Sequence, residues 1–301
     1  MNVRPAVQMA PARRRILWLR WEERPTRRPL QRWKVVAVLL ALLQANSAVL
    51  DPEANCAVID AAAREAAAAG ARVLLTPELF PVGYAPRKLR SGLDPEVLPT
   101  LRATLAATAR RHGIGLVYSL PRVMAEGDWQ ISATLLDANG EVLLEYGKVH
   151  LFGPDERAAF SPAAERPAVV DFQGIPTSMV ICYDVEFPEA VRAAAAGGAE
   201  LLLVPTALAH GFDDVPQVLL RARALESQLT VAYANHSGVE DGCRFLGGSV
   251  IAGPDGKLLA AAGEGPQLLF ADVDGEAAKR ERAAVPYLDE RRPDVYRAWE
   301  D

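Results

Sequence analysis

Hydrophobic and polar positions alternate along the chain with a repeating strand and helix rhythm from residue 34 onward. The apolar run Val35 to Leu43 predicts a first buried strand over Lys34 to Gln44. Asp51 followed by Pro52 has the chemistry of a helix N-cap and first turn, and the Ala-rich segment behind it predicts a helix to about Ala69, stopped by Gly70. Val73 to Thr76 predicts a short strand that must end at Pro77, which cannot donate to a ladder. The rhythm continues with a helix over Pro95 to His112 and a strand over Ile114 to Leu120. Strands Ile131 to Asp137 and Glu141 to Lys148 flank Ala138-Asn139-Gly140, whose Asn-Gly supplies the positive φ of a hairpin.

The second half predicts strands Ala168 to Phe172 and Thr177 to Cys182, helix Pro188 to Ala196, strand Leu201 to Val204, helix Val215 to Gln228 and strand Thr230 to Asn235. Strands Gly248 to Ala252 and Lys257 to Ala261 bracket Pro254-Asp255-Gly256, and Leu268 to Asp272 closes the series. Continuous apolar runs such as Leu201 to Val204 suit strands buried on both faces, while the hairpins alternate, so parallel and antiparallel pairing are mixed. About a dozen strands with four main helices are layered most economically as an α/β arrangement of two packed sheets with helices outside. No linker separates Asn46 from Asp272, so residues 34–301 are expected to form a single domain behind a flexible basic extension, residues 1–33.

Charge changes this picture in one respect. Residues 1–34 carry ten Arg and Lys against two Glu, a net +8, which leaves −13 on the remainder of a chain whose total is −5. So acidic a body is a poor binder of phosphate backbones, and no nucleic-acid partner is expected. The basic arm followed by Val35 to Leu43 imitates a secretory signal, but the arm is too long and the apolar run falls short of the ~20 residues that span a bilayer. No membrane association is expected. Three cysteines, Cys56, Cys182 and Cys243, without close pairs suit free thiols in the cytoplasm. No His, Cys and Asp set has metal-ligand spacing and no Gly-rich phosphate loop follows a strand, so no cofactor is indicated.

Three places could hold chemistry. In Thr76-Pro77-Glu78-Leu79-Phe80 a carboxylate stands at a strand tip among apolar residues, where desolvation suits it to proton transfer near neutral pH; alone, it reads as an ordinary loop acid. In Tyr146-Gly147-Lys148-Val149-His150-Leu151-Phe152 an ammonium ends another strand, with Glu156 placed to reach back across the loop; alone, Lys148 reads as an edge lysine. In Ser178 to Glu189 an apolar strand delivers Cys182 to a turn before the helix at Pro188, the logic of a nucleophile elbow. His150, expected on the same strand face as Lys148, is a rival base for a Cys-His pair; His112, His210 and His236 are not placed for catalysis. The loop acids Asp213, Asp214, Glu240 and Asp241 read as solvated.

Taken together, Thr-Pro-Glu78-Leu-Phe, Tyr-Gly-Lys148-Val-His-Leu-Phe-Gly and Ile-Cys182-Tyr-Asp-Val-Glu-Phe-Pro-Glu resemble the Glu-Lys-Cys segments of the nitrilase superfamily of carbon-nitrogen hydrolases. The resemblance runs from about Val35 to Arg297. Asp51 to Asn55, Val204 to Ala207, Arg223 to Glu226, Tyr233 to Asn235 and Gly253 to Gly256 fall where the family has similar segments. Tyr183-Asp184 and Phe187-Pro188-Glu189 are similar to small-amide amidases, and Lys148 to Gly153, Ala159 to Pro162 and Pro286 to Leu288 to the bacterial 5-aminopentanamidase and stereoselective-amidase group. Ser227, where the family often has Asn, and the basic arm are departures. The resemblance implies a four-layer αββα sandwich, a homodimer or higher homo-oligomer, and no cofactor. It also implies hydrolysis of a small aliphatic or ω-amino carboxamide to acid and ammonia through a cysteine thioester. Cys182 would be the nucleophile and Glu78 the proton carrier; Lys148 and the Tyr183 backbone N–H would hold the oxyanion, and Glu156 would orient the site. A nitrilase or N-carbamoyl amide hydrolase would share this triad, and a catalytically silent binding module could share the fold.

Overall fold

The computed structural model describes residues 37–125 and 127–300. The expected extension, residues 1–33, and the first three residues of the expected first strand lie outside them. Val35–Asp301 forms one compact unit.

In chain order the first half comprises β1 (Ala37–Gln44), α1 (Pro52–Ala68), β2 (Val73–Leu75), α2 (Pro86–Gly92), α3 (Leu98–His112), β3 (Gly115–Val123), β4 (Trp129–Leu136), β5 (Val142–Gly147) and α4 (Gly153–Ala159). The second half comprises β6 (Val170–Phe172), β7 (Ile175–Met179), α5 (Pro188–Ala196), β8 (Leu201–Pro205), α6 (Leu220–Ser227), β9 (Thr230–Ala234), β10 (Val239–Glu240), β11 (Cys243–Arg244), β12 (Val250–Ala252), β13 (Leu258–Ala261), β14 (Gln267–Asp274), α7 (Ala277–Ala284) and α8 (Pro293–Glu300).

Two six-stranded sheets result, ordered β14-β1-β2-β3-β4-β5 and β13-β12-β9-β8-β7-β6, with β10 and β11 as a separate ribbon. Each has three parallel strands at its centre, β1-β2-β3 and β7-β8-β9, and antiparallel strands outside them. The sheets are therefore mixed, as the two kinds of apolar pattern predict. Strands β2, β8 and β9 are buried at every position because one face meets the opposing sheet and the other meets helices. β1 approaches β9, and β2 and β3 approach β8, while α1 with α3 and α5 with α6 pack in pairs on the outer faces. The layering is the αββα sandwich.

Small residues set the spacing of these layers. Asn55, Ile59, Ala62, Ala63 and Ala66 form the buried stripe of α1, one residue per turn or nearly so. Asp51 caps that helix, its carboxylate accepting from the Ala54 N–H at 3.0 Å, with Pro52 at the first position.

The expected elements are present, with displaced ends where the backbone turns to build loops. Pro95–Val97 forms a 3-10 turn ahead of α3, and the expected helix from Val215 begins as a π-type turn, Val215–Leu219. β7 ends at Met179 rather than Cys182, and β5 at Gly147 rather than Lys148. Helices α2, α4, α7 and α8 and the β10–β11 ribbon were not expected. Among the described residues no helix is long and apolar enough to cross a membrane.

Candidate active site

The loops leaving the strand ends of both sheets meet at one buried cluster. Glu78 follows β2, its N–H donating to the Thr206 carbonyl beyond β8 at 3.2 Å, so the two sheets are joined at this residue. Lys148 stands one residue past β5, its backbone held between the Ile131 carbonyl and the Ala163 N–H, each at 2.8 Å. Its Nζ donates to Glu78 Oε1 at 2.8 Å and to Glu156 Oε1 at 2.6 Å, and all three side chains are fully buried. Glu156 lies on α4 and is further fixed by the Tyr84 hydroxyl at 2.5 Å and the Phe152 N–H at 2.7 Å.

Cys182 opens a 3-10 turn, Cys182–Glu186, and is 6% exposed. Its φ of 47° lies in the left-handed region, which a non-glycine residue occupies at a cost and which turns the side chain sharply out of the strand direction. Leu79, directly after Glu78, is held at φ 54°. Strained backbone thus occurs at Cys182 and immediately beside Glu78.

Asp184 ties the thiol turn to the lysine loop. Fully buried, it accepts from the Tyr146 hydroxyl at 3.0 Å, the His150 N–H at 2.8 Å and the Ile181 N–H at 3.3 Å, and pairs with His150 Nδ1 at 2.7 Å. His150 therefore lies beyond β5, committed to Asp184 and stacked on Phe187 at 3.8 Å between ring centroids. The expectation that it shares a strand face with Lys148 is corrected by the early end of β5. From α6, Arg223 binds the far end of the turn, donating to the carbonyls of Val185 at 3.1 Å and Glu186 at 2.6 Å.

The electrostatics follow from burial around one ammonium. Burial pushes the Glu78 carboxyl up to about 7, against the pull of Lys148. Burial, then the Glu78 charge, push the Cys182 thiol far above the thiol range, with Lys148 and the Ala207 backbone N–H opposing. Burial alone would lower Lys148, but Glu78 and Glu156 outweigh it and keep the ammonium charged. Glu78 Oε2 is buried without a hydrogen-bond partner, a free acceptor in a site that contains the thiol. The arrangement can carry a proton between sulfur and carboxylate beside a fixed positive charge.

Tyr183 is half-buried, its ring edge-on to Phe152 and Phe187 at 5.3 and 4.9 Å. A cavity of about 250 Å³ is lined by Tyr84, Phe152, Gly153, Glu240 and Cys243; of these, Tyr84 through its hydroxyl and Phe152 through its N–H donate to Glu156 of the cluster. A larger one, about 780 Å³, lies between α5, α6 and the C-terminal segment, away from these groups.

These features have counterparts among known proteins. The carbon-nitrogen hydrolase family profile matches residues 39–282. The chain belongs to that family. It is 38% identical over 263 residues to a Pseudomonas protegens hydrolase, covering 87% of this chain and 92% of that one. It is 31% identical to an (R)-stereoselective amidase of Pseudomonas sp., covering 73% of this chain and 79% of that protein. The crystal structure of an amidase from Nesterenkonia sp. superposes with a TM-score of 0.82 at 46% identity, covering 87% of this chain and 96% of that one. Other structures of that amidase hold butyramide, or carry the acetamide moiety of fluoroacetamide covalently on the active-site cysteine. This carbon-nitrogen hydrolase is accordingly an enzyme of the amidase branch of the nitrilase superfamily, acting on non-peptide C–N bonds.

Two groups read as unremarkable in the sequence prove central to the packing of the site. Glu240 is not a solvated loop acid: it is 2% exposed and accepts from the Ser47 N–H and hydroxyl, the Tyr84 N–H and His236 Nδ1. His236, fully buried, turns its other nitrogen to the Glu78 carbonyl at 2.6 Å. Their partners lie in distant segments, so no local pattern marks them.

Proposed function

We propose that this enzyme hydrolyses small aliphatic or ω-amino carboxamides to a carboxylic acid and ammonia, through a thioester on Cys182. The reading is carried by the buried Glu78, Lys148 and Glu156 cluster at the strained Cys182 turn, since burial tunes the Glu78 carboxyl to about 7, where it both takes and returns a proton. Glu78 accepts the thiol proton as sulfur attacks the amide carbon. Lys148 Nζ and the Tyr183 N–H hold the developing oxyanion, an effect commonly worth ~3 to 4 kcal/mol per donor. The C–N bond breaks as Glu78 returns the proton to the leaving ammonia. Glu78 then takes a proton from water, whose oxygen adds to the thioester, and the acid leaves as the thiol is restored. Glu156 keeps Lys148 charged and aimed. The butyramide seen in the Nesterenkonia amidase favours a short acyl chain. The free thiols of Cys56 and Cys243 suit a cytoplasmic enzyme, and by family resemblance it works as a homodimer or higher homo-oligomer.

Cys182→Ala should abolish ammonia release from a panel of aliphatic and ω-amino amides while leaving the circular dichroism spectrum unchanged. With hydroxylamine present, the wild-type thioester should partition to a hydroxamate. Turnover by the variant would remove the thiol from the mechanism, and preference for nitriles or carbamoyl amides over every amide in the panel would overturn the substrate class.

A further inference from the structure

The buried pair His236 and Glu240 lies behind the cluster and takes no part in the chemistry just described. Glu240 Oε1 pairs with His236 Nδ1 at 2.7 Å and accepts the Ser47 N–H at 2.8 Å. Oε2 accepts the Ser47 hydroxyl at 2.6 Å and the Tyr84 N–H at 2.9 Å. His236 Nε2 must donate for the Glu78 carbonyl to be satisfied, and that contact is 2.6 Å. The imidazole packs against Phe80 and Phe245, with ring centroids 5.5 and 4.9 Å away.

Two of these contacts lead to the groups that touch Lys148, one directly at Glu78 and one through Tyr84 to Glu156. The Glu78 peptide is anchored on both sides, by its N–H on Thr206 and its carbonyl on His236, next to the strained Leu79. Tyr84, its N–H on Glu240, holds Glu156 through its hydroxyl. Both carboxylates that share the ammonium therefore depend on Glu240, one through His236 and one through Tyr84. Three loops, after β1, β2 and β9, converge on this one carboxylate.

We infer that His236 and Glu240 are positioning residues for the hydrolysis, setting the Glu78 and Glu156 carboxylates about Lys148 rather than merely closing the core. The inference rests on the functional reading above. Misplacing a catalytic group by about 1 Å can cost about 100-fold in rate, so a staple of this kind acts on kcat more than on binding. A staple that served only stability would lower the melting temperature and leave the rate per folded molecule alone.

The experiment compares wild type, His236→Ala, His236→Gln and Ser47→Ala. It reads kcat and KM for butyramide per folded enzyme, together with the rate at which iodoacetamide alkylates the Cys182 peptide, followed by mass spectrometry. His236→Ala should lower kcat about 10- to 100-fold with KM within twofold, and slow alkylation in parallel, since both need Glu78 as base. His236→Gln, whose amide can still donate to the Glu78 carbonyl, should recover at least threefold of the lost kcat. Should His236→Ala fail to fold, Ser47→Ala, which removes one bond to Glu240, should still lower kcat two- to fivefold. Wild-type kcat and alkylation rate in the folded variants, whatever their melting temperatures, would overturn the inference. If wild type hydrolyses no amide yet its Cys182 alkylates normally, the functional reading fails, and the alkylation comparison still decides this one.

Discussion

Replacing Lys148 with Met removes the ammonium and keeps most of the side-chain volume, so it isolates the charge that holds the cluster together. The bonds of 2.8 and 2.6 Å to a common nitrogen place the Glu78 and Glu156 oxygens at most about 5.4 Å apart. At about 5 Å and an effective dielectric near 20, two unscreened carboxylates repel by about 3 kcal/mol. In the wild type the Lys148 ammonium offsets that repulsion at Glu78; without it, at about 1.4 kcal/mol per pH unit, the Glu78 carboxyl should rise by about 2 further units. In the wild type, Glu78 already titrates near 7, above its unfolded value of 4.5. A raised folded value makes the native state bind the extra proton, so this group's contribution falls as pH rises to about 7 and is flat beyond. In Lys148→Met the fall should continue to about pH 9. Urea unfolding of both proteins should therefore show a deficit of about 3 to 5 kcal/mol near pH 7, the usual cost of breaking a buried pair from one side. That deficit should widen by about 2 kcal/mol between pH 7.5 and 9. Groups common to both proteins cancel in the difference. A deficit constant from pH 7 to 9 would refute the reasoning, because it would mean that the two carboxylates do not share one charge.

The wild-type kcat/KM for a small amide should rise with pH along a limb centred near 7, since Glu78 must be ionised to accept the thiol proton; a flat profile from pH 5.5 to 8 would remove Glu78 as base. Asp184→Asn should lower kcat/KM by about 10- to 100-fold and stability by about 1 to 3 kcal/mol, because it leaves donors from Tyr146, His150 and Ile181 facing a group that can satisfy fewer of them. Gly147→Ala would place a Cβ 2.6 Å from the Ala163 Cβ and 2.8 Å from Arg122, directly before Lys148. It should cost about 1 to 3 kcal/mol in urea unfolding, with activity falling further than stability.

How much of this was legible in the chain depends on whether the signal is local. Glu78, Lys148 and Cys182 stand where apolar runs break, and each break is visible within a few residues. So are the cap at Asp51, the helix stop at Gly70 and the hairpin at Asn139-Gly140. The layers were legible too, because strands buried on both faces differ in pattern from edge strands such as β13, three of whose four positions are exposed. What was not legible depends on distant partners. Glu240 sits in a polar loop sequence, Val239-Glu240-Asp241-Gly242, and becomes a buried acceptor only because Ser47 and Tyr84 arrive from more than 150 residues away. His150 stands two residues from Lys148, a spacing that puts both on one face of a continuing strand, yet Asp184 draws its N–H and ring to the thiol turn. Helices α2 and α4, each seven residues, are too short to display a period, although Pro154, Asp155 and Glu156 carry an N-terminal signature.

The balance of charges in the site bears on the order of events in the proposed reaction. Burial disfavours ionisation of both Glu78 and Cys182, yet the thiol is lifted beyond its range while the carboxyl stops near neutrality. Above about pH 7 the resting enzyme therefore holds a neutral thiol and an ionised Glu78, and a free thiolate would have to stand in the field of two acids with one ammonium between them. Moving the proton from sulfur to Glu78 leaves the total charge unchanged, but it frees the Lys148 ammonium from one carboxylate at the moment an oxyanion forms. Glu156, held by Tyr84 and the Phe152 N–H, stays behind to keep that ammonium in place. Proton transfer and attack on the carbonyl are thus favoured together and disfavoured apart. A second carboxylate beside the lysine is what allows the first to give up its charge.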